Sequence, residues 1–196
     1  MESKLSVNSI ITGGIEIGLK NSLAIIVNYI LWILTCWIPY INVGTTIGLT
    51  VGIIAKASKG EIISVVEIFN PEYRKYMGEY FLTSGLLSVG IVLGMAFMIG
   101  PGIAITLAWS QALFLTIDKG KNPMEAISLS NKVTYGKKGT IFLAYLVVFL
   151  VIGVISAVLS LIPGIGILLN LILFLLVFFI NIGISAYIYK SLCSDL

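Results

Sequence analysis

Ile99-Gly100-Pro101-Gly102-Ile103, an uncharged apolar turn in mid-chain, recurs in altered form as Ile38-Pro39-Tyr40-Ile41 and Ile162-Pro163-Gly164-Ile165. The prolines are evenly spaced, since 101 − 39 = 62 and 163 − 101 = 62. Each turn is flanked on both sides by an apolar run long enough to cross a bilayer, which takes roughly 20 residues. A fixed period of this kind decides architecture before any local reading does. The expectation is an all-α integral membrane protein with six transmembrane helices, arranged as three tandem Pro-turn hairpins.

Composition points the same way. The 196 residues are 58% hydrophobic and only 11% charged, with a mean hydropathy of +1.07, outside the range of soluble globular domains. The net charge is +3, to be read by side of the membrane. Cys36 sits near a hairpin tip and Cys193 near the other end of a span, so a disulfide between them is not expected. The mixed charges of Met1-Glu2-Ser3-Lys4 and the lack of a small-residue cleavage pattern argue against a cleaved signal peptide.

The spans are read at about residues 21–38, 39–55, 80–99, 101–117, 140–162 and 164–189. Each pair is preceded by an interfacial amphipathic helix at about 5–20, 61–79 and 123–135. In the first, Val7, Ile11, Ile15 and Leu19 recur every four residues, with Ser9, Glu16 and Lys20 on another face. The repeats therefore cover about 5–57, 61–117 and 123–189 of one six-span domain. Asn70-Pro71-Glu72 and Asn122-Pro123-Met124-Glu125 both read as helix starts, with Asn as the cap and Pro at the first helical position.

Two stripes of small residues mark helix-packing faces: Gly44, Gly48 and Gly52 on the second span, and Ala104, Ala108 and Ala112 on the fourth. They read first as ridges inside the protein and second as contacts for a partner or homo-oligomer. Gln111 is costly facing lipid, so it should find a partner helix.

All 12 basic and all 9 acidic residues fall on one side of this six-span plan, and the Pro turns carry none. The loop from 56 to 79 sums to zero. The loop from 118 to 139 has five Lys against Asp118 and Glu125, a net +3. Basic loops stay inside, so both termini are expected on the cytoplasmic side of the cell membrane. Lys132, Lys137 and Lys138 are the candidates for contact with anionic lipid or an acidic protein partner, beyond holding the orientation.

Absences limit the chemistry. There is no His, and no carboxylate lies well inside a span. No catalytic, cofactor-binding or metal-binding constellation is legible, and nothing resembles a nucleic-acid module. The expectation is a non-enzyme without a cofactor.

The stretch 118–139 carries a family likeness. Trp109, Asp118, Gly120, Pro123, Glu125, Ala126, Ser130, Gly136 and Lys137, followed by a new span and a Pro-Gly turn, resemble the YciC-like bacterial six-span membrane proteins. They also resemble the related membrane domain fused to some glycerophosphodiester phosphodiesterases. The resemblance covers roughly residues 70 to 190; it implies the fold and a bacterial cytoplasmic membrane, and brings no activity with it. The plan is also similar to that of mitochondrial carriers, but their charged Pro-x-acidic-x-x-basic motif is missing. Two functions fit: an accessory or scaffold protein presenting interfacial helices to lipids or partner proteins, or a permeation protein for an uncharged or lipidic solute. The first is preferred because the spans hold no ionisable group. A polar path past Thr46, Gln111 and Asn170 would favour the second.

Overall fold

The computed structural model describes residues 5–196, so the mixed-charge stretch Met1 to Lys4 lies outside the described residues. All regular structure among them is helical: α1 (Val7–Lys20), α2 (Ser22–Thr35), α3 (Pro39–Ile47), α4 (Ile53–Lys59), α5 (Glu72–Lys75), α6 (Met77–Phe97), α7 (Ile99–Ala108), α8 (Ala112–Asp118), α9 (Pro123–Thr134), α10 (Lys138–Ser160) and α11 (Gly166–Cys193). A π-helical turn, Gly48–Gly52, joins α3 to α4, and a 3₁₀ turn, Glu67–Phe69, precedes α5.

Five continuous stretches are long and apolar enough to cross a membrane: Pro39–Lys59, Met77–Phe97, Ile99–Asp118, Lys138–Ser160 and Gly166–Cys193. A sixth exists only if α1 and α2, bent by 70° to each other, count as one. The five are not alike. In Pro39–Lys59 67% of the apolar window is buried within the protein, against 11%, 33%, 17% and 22% in the others.

The turns fall where the prolines place them. Pro39 opens α3, where its missing N–H costs nothing, after an extended Ile38. Met98 is extended and separates α6 from α7, whose first turn holds Pro101. Between α10 and α11, Gly164 has φ +77°, a conformation open to glycine and strained for other residues.

The packed core gathers at the charged end of the molecule, opposite the tips of the α6–α7 and α10–α11 hairpins. Ile53, Ala57, Ile68, Phe179 and Ile182 form one cluster, and Ala55, Ala112, Leu115, Ala126 and Tyr189 another. We call this part the base. From it α6–α7 and α10–α11 project with exposed apolar surfaces, such as Val92, Phe97 and Met98 on one and Phe149, Val154 and Leu171 on the other.

The segments before the spans are built into the base, packed on neighbouring helices. Helix α1 runs antiparallel along α11, with Gly14 against Ile184 and Gly18 against the Phe179 backbone. Residues 61–79 do not form one helix. Residues 61–66 are irregular, because the side chain of Asn28 on α2 donates to Ser64 O (2.8 Å) and accepts from Ile68 N (3.0 Å). That supplies backbone bonds a helix would otherwise have to make. Asn70, ahead of Pro71, is extended (ψ 120°), as a residue before proline prefers. Asn70 then accepts from Glu72 N at 3.0 Å, and only the four residues of α5 follow as α-helix.

Helix α9 does form over most of 123–135, capped by Asn122 accepting from Glu125 N at 2.9 Å. The reciprocal half of a capping box is replaced by a Glu125–Lys121 ion pair of 2.9 Å. Helix α9 packs on α8 through Ala126.

Candidate functional site

Two successive turns of α4 organise the base. Lys56 reaches both carboxylate oxygens of Glu67 at 3.0 Å, and Tyr73 donates to Glu67 Oε1 at 2.8 Å. Lys59 pairs with Asp118, which also accepts from Tyr189 through Oδ2 at 2.8 Å. Each set is lysine, carboxylate and tyrosine. Together they tie residues 61–76, α8 and α11 to one helix. Lys56 and Lys59 are three residues apart and so lie on one face of α4.

Between the sets lies a 220 Å³ cavity lined by Lys56, Lys59, Glu61, Asn70, Tyr73 and Asp118 among others. Burial pulls the Glu67 carboxyl upward, but hydrogen bonds from Lys56 and Tyr73 and the Lys56 charge outweigh it, leaving the carboxyl below its ordinary value. Tyr73 is pushed well above the ordinary tyrosine range by burial, by its hydrogen bond to Glu67 and by neighbouring carboxylates. At neutral pH these groups are therefore an ionised carboxylate and a neutral phenol, committed to each other. Such an arrangement holds segments together and leaves neither group poised to exchange a proton. Among the described residues no three His, Cys, Asp or Glu side chains come together as metal ligands.

A second cavity, of 310 Å³, opens beside Asp118 and is lined by Ser58, Lys59, Lys119, Tyr189, Lys190 and Cys193 among others. Its three lysines come from α4, the end of α8 and α11.

The residues expected to mark sites are distributed as follows. Gly44, Gly48 and Gly52 share one face, and what they admit is the segment 68–74 rather than another long helix: Arg74 against Gly44, Ile68 and Tyr73 against Gly48, and Tyr73 against Gly52. Ala108 and Ala112 are buried while Ala104 is exposed. The alanine stripe is not a single ridge because turn residues Trp109–Ser110–Gln111 interrupt the α-helix between α7 and α8. Lys132 and Lys137 are exposed, and Lys138 donates to Asn131 Oδ1 at 2.8 Å. The five lysines of 118–139 do not make one patch. Lys119 and Lys121 precede α9 and Lys132, Lys137 and Lys138 lie at its other end, across a 12-residue helix of about 18 Å.

Thr46, Gln111 and Asn170 make separate hydrogen bonds. Thr46 bonds with Trp32 and Asn42, Gln111 with Ser110, and Asn170 with Ser156 and Ser160. Gln111 meets its helix partner through the backbone: its N–H donates to Ser130 Oγ on α9 at 3.1 Å, while its side-chain oxygen is buried without a partner.

Two features escaped the sequence reading. Ser130 and Thr134 both donate to Ala108 O, at 2.8 and 3.2 Å, so α9 satisfies the carbonyl that the break at 109–111 frees. Asn28 is fully buried and holds the 64–68 loop. An Asn in the middle of an apolar run was the available signal for it. The chain matches no protein-family model, no curated protein and no solved structure.

Proposed function

We propose that the protein is a non-enzymatic integral membrane accessory or scaffold protein. Its base faces the cytoplasm and contacts lipid headgroups or a partner protein, and both termini lie on that side of a bacterial cytoplasmic membrane. The observation carrying this reading is the division of the molecule. Ionisable groups are gathered in and around the base, and the projecting hairpins expose apolar surface. The buried carboxylates Glu67 and Asp118 are each committed to a lysine, so the excess positive charge is left to exposed side chains such as Lys132 and Lys137. The likeness to YciC-like membrane proteins belongs to the same proposal.

The test compares wild type with a Lys132→Gln, Lys137→Gln, Lys138→Gln variant, each extracted into nanodiscs of mixed anionic and zwitterionic lipid, with bound lipids and proteins identified by mass spectrometry. Each lysine near an anionic leaflet contributes about 1 kcal/mol, or roughly fivefold in enrichment. The expected result is a marked loss of anionic lipid or of a co-purifying protein, with insertion unchanged. Full retention of both would leave these lysines with orientation as their sole role and remove the contact from the proposal.

A further inference from the structure

The hairpin formed by α2 and α3–α4 differs from the other two: its first limb, α2, has 14 residues against 21 in α6 and 23 in α10, and its surroundings are different too. Its tip residue Tyr40 lies under Arg74, with the guanidinium carbon 5.6 Å from the ring centroid. Val43, three residues on, packs against the same buried cluster of Ile47, Val51, Tyr73 and Ile117 that Tyr76 and Met77 cover. At the other end of the same helical stretch, Lys59 is paired with Asp118.

Arg74 and Asp118 belong to one end of the molecule. Met77 begins α6 and Asp118 ends α8, and the two helices are held together near those ends by a Thr83–Thr116 hydrogen bond of 3.2 Å. Helix α6 has 21 residues, about 31 Å at 1.5 Å per residue. It needs nearly all of that length to cross a hydrocarbon core of about 30 Å. Met77 therefore stands at the boundary of the bilayer on the charged side, and so does Tyr40, which lies against Arg74 three residues before it. A tip on the far side would have to carry Arg74 with it, next to the exposed Glu72 and Lys75.

The outer face of α2 shows what this hairpin meets. Leu23, Ile30, Leu34 and Trp37, at intervals of seven, four and three, form one stripe exposed by 71%, 49%, 61% and 74%. On its inner side Tyr29 packs against Phe178 of α11, the rings tilted by 45° with centroids 4.7 Å apart. Four residues from Phe178, Phe174 is itself 62% exposed, so the stripe is continuous with the apolar surface of a projecting hairpin. Trp37 and Tyr40 at the tip, with Arg74 over the Tyr40 ring, are the side chains that settle at a headgroup boundary.

We infer that the α2–α4 hairpin does not cross the membrane but lies across the base within the charged-side leaflet. Its Leu23–Trp37 stripe contacts lipid, and only α6, α7–α8, α10 and α11 cross. This rests on the membrane reading above and can fail separately from it.

The test uses single cysteines in a Cys36→Ser, Cys193→Ser background, in intact cells and after permeabilisation, with a membrane-impermeant maleimide. Lys132→Cys reports the base. Gly100→Cys and Ile165→Cys report the two projecting tips; a Cβ at Gly100 meets nothing within 4 Å, and Ile165 is 52% exposed. Tyr40→Cys should react only after permeabilisation, with Lys132→Cys, while Gly100→Cys and Ile165→Cys react in intact cells. A Tyr40→Cys thiol that reacts in intact cells, or that reacts in neither condition, overturns the inference. If Gly100→Cys and Ile165→Cys instead react together with Lys132→Cys, the membrane-crossing reading fails with it. A Tyr40→Cys, Arg74→Cys pair joined by a short bismaleimide gives an independent measure, and absence of that cross-link in correctly inserted protein also overturns the inference.

Discussion

Gly183→Ala tests the seam that joins the start of the described chain to its last helix. A Cβ at 183 would fall 2.6 Å from Gly18 N, 2.9 Å from Gly14 C and closer still to Gly14 O. All three are backbone atoms, which cannot turn aside as a side chain can. Ordinary contact begins near 3.4 Å, so α1 and α11 must separate by about 1 Å, a gap at which a dispersion well loses a quarter to a half of its depth. Ile10, Ile184 and Ile188, exposed by 0%, 0% and 1%, flank the seam. With about 50 contacts each at about 0.15 kcal/mol, half of them facing across and a quarter of that lost, the cost is about 3 kcal/mol. This is at the upper end of the usual range for overpacking, about 1 to 3 kcal/mol. For a chain of this size it corresponds to a fall in Tm of about 6 to 12 °C. Thermal unfolding in mild detergent measures it, with Gly85→Ala as the control: a Cβ at Gly85 meets nothing within 4 Å, and alanine favours the helix by about 1 kcal/mol. If Gly183→Ala melts with wild type while Gly85→Ala is neutral or stabilising, α1 does not pack on α11 as described.

Gly48→Leu should destabilise through the same kind of contact, because a Cβ there lies 2.9 Å from the Ile68 Cα and 2.9 Å from the Tyr73 ring; an unchanged Tm would mean that segment 68–74 does not cover α3–α4. Glu67→Gln should lose about 2 kcal/mol, in the range for a hydrogen bond to a charged group, seen as a lower Tm at pH 7. The folded-state pKa of Glu67 is depressed, so its contribution is present above the unfolded carboxylate value near 4.5 and fades as pH falls through the lower folded value. The gap between wild type and Glu67→Gln should therefore close in that acid window, and a gap independent of pH would contradict the ion pair.

The helical spans were readable because length, apolarity and proline placement are local properties. The runs read at 80–99 and 140–162 appear as Met77–Phe97 and Lys138–Ser160, shifted by two or three residues. What joins them was not readable in the same way. Gly14 and Gly18 carry the spacing that was noticed at Gly44, Gly48 and Gly52, but their partner Gly183 is remote in sequence and has no local mark. The amphipathic pattern of 5–20 was real, yet the same pattern serves a helix lying on lipid and a helix lying on protein. Period analysis could not separate the two. The break at 109–111 was hidden because the residues that satisfy it, Ser130 and Thr134, lie on another helix, and a polar pair on an interfacial helix looks solvated until its acceptor is known.

The first hairpin shows where counting apolar runs stops being sufficient. Hydropathy measures the cost of leaving a segment in water, and a segment escapes that cost equally by entering lipid or by being covered with protein. Pro39–Lys59 is the least apolar of the five long stretches and the most buried. Its glycine face is filled by Ile68, Tyr73 and Arg74, contacts that could form only if the charged segment 67–75 returned along it. A helix that faced lipid on that side would have no use for three glycines there. The glycines and the charged loop after them are therefore one feature. Glycines 44, 48 and 52 make the groove, and the aromatic and basic residues 73 and 74 fill it, which brings charge to the tip of the first hairpin.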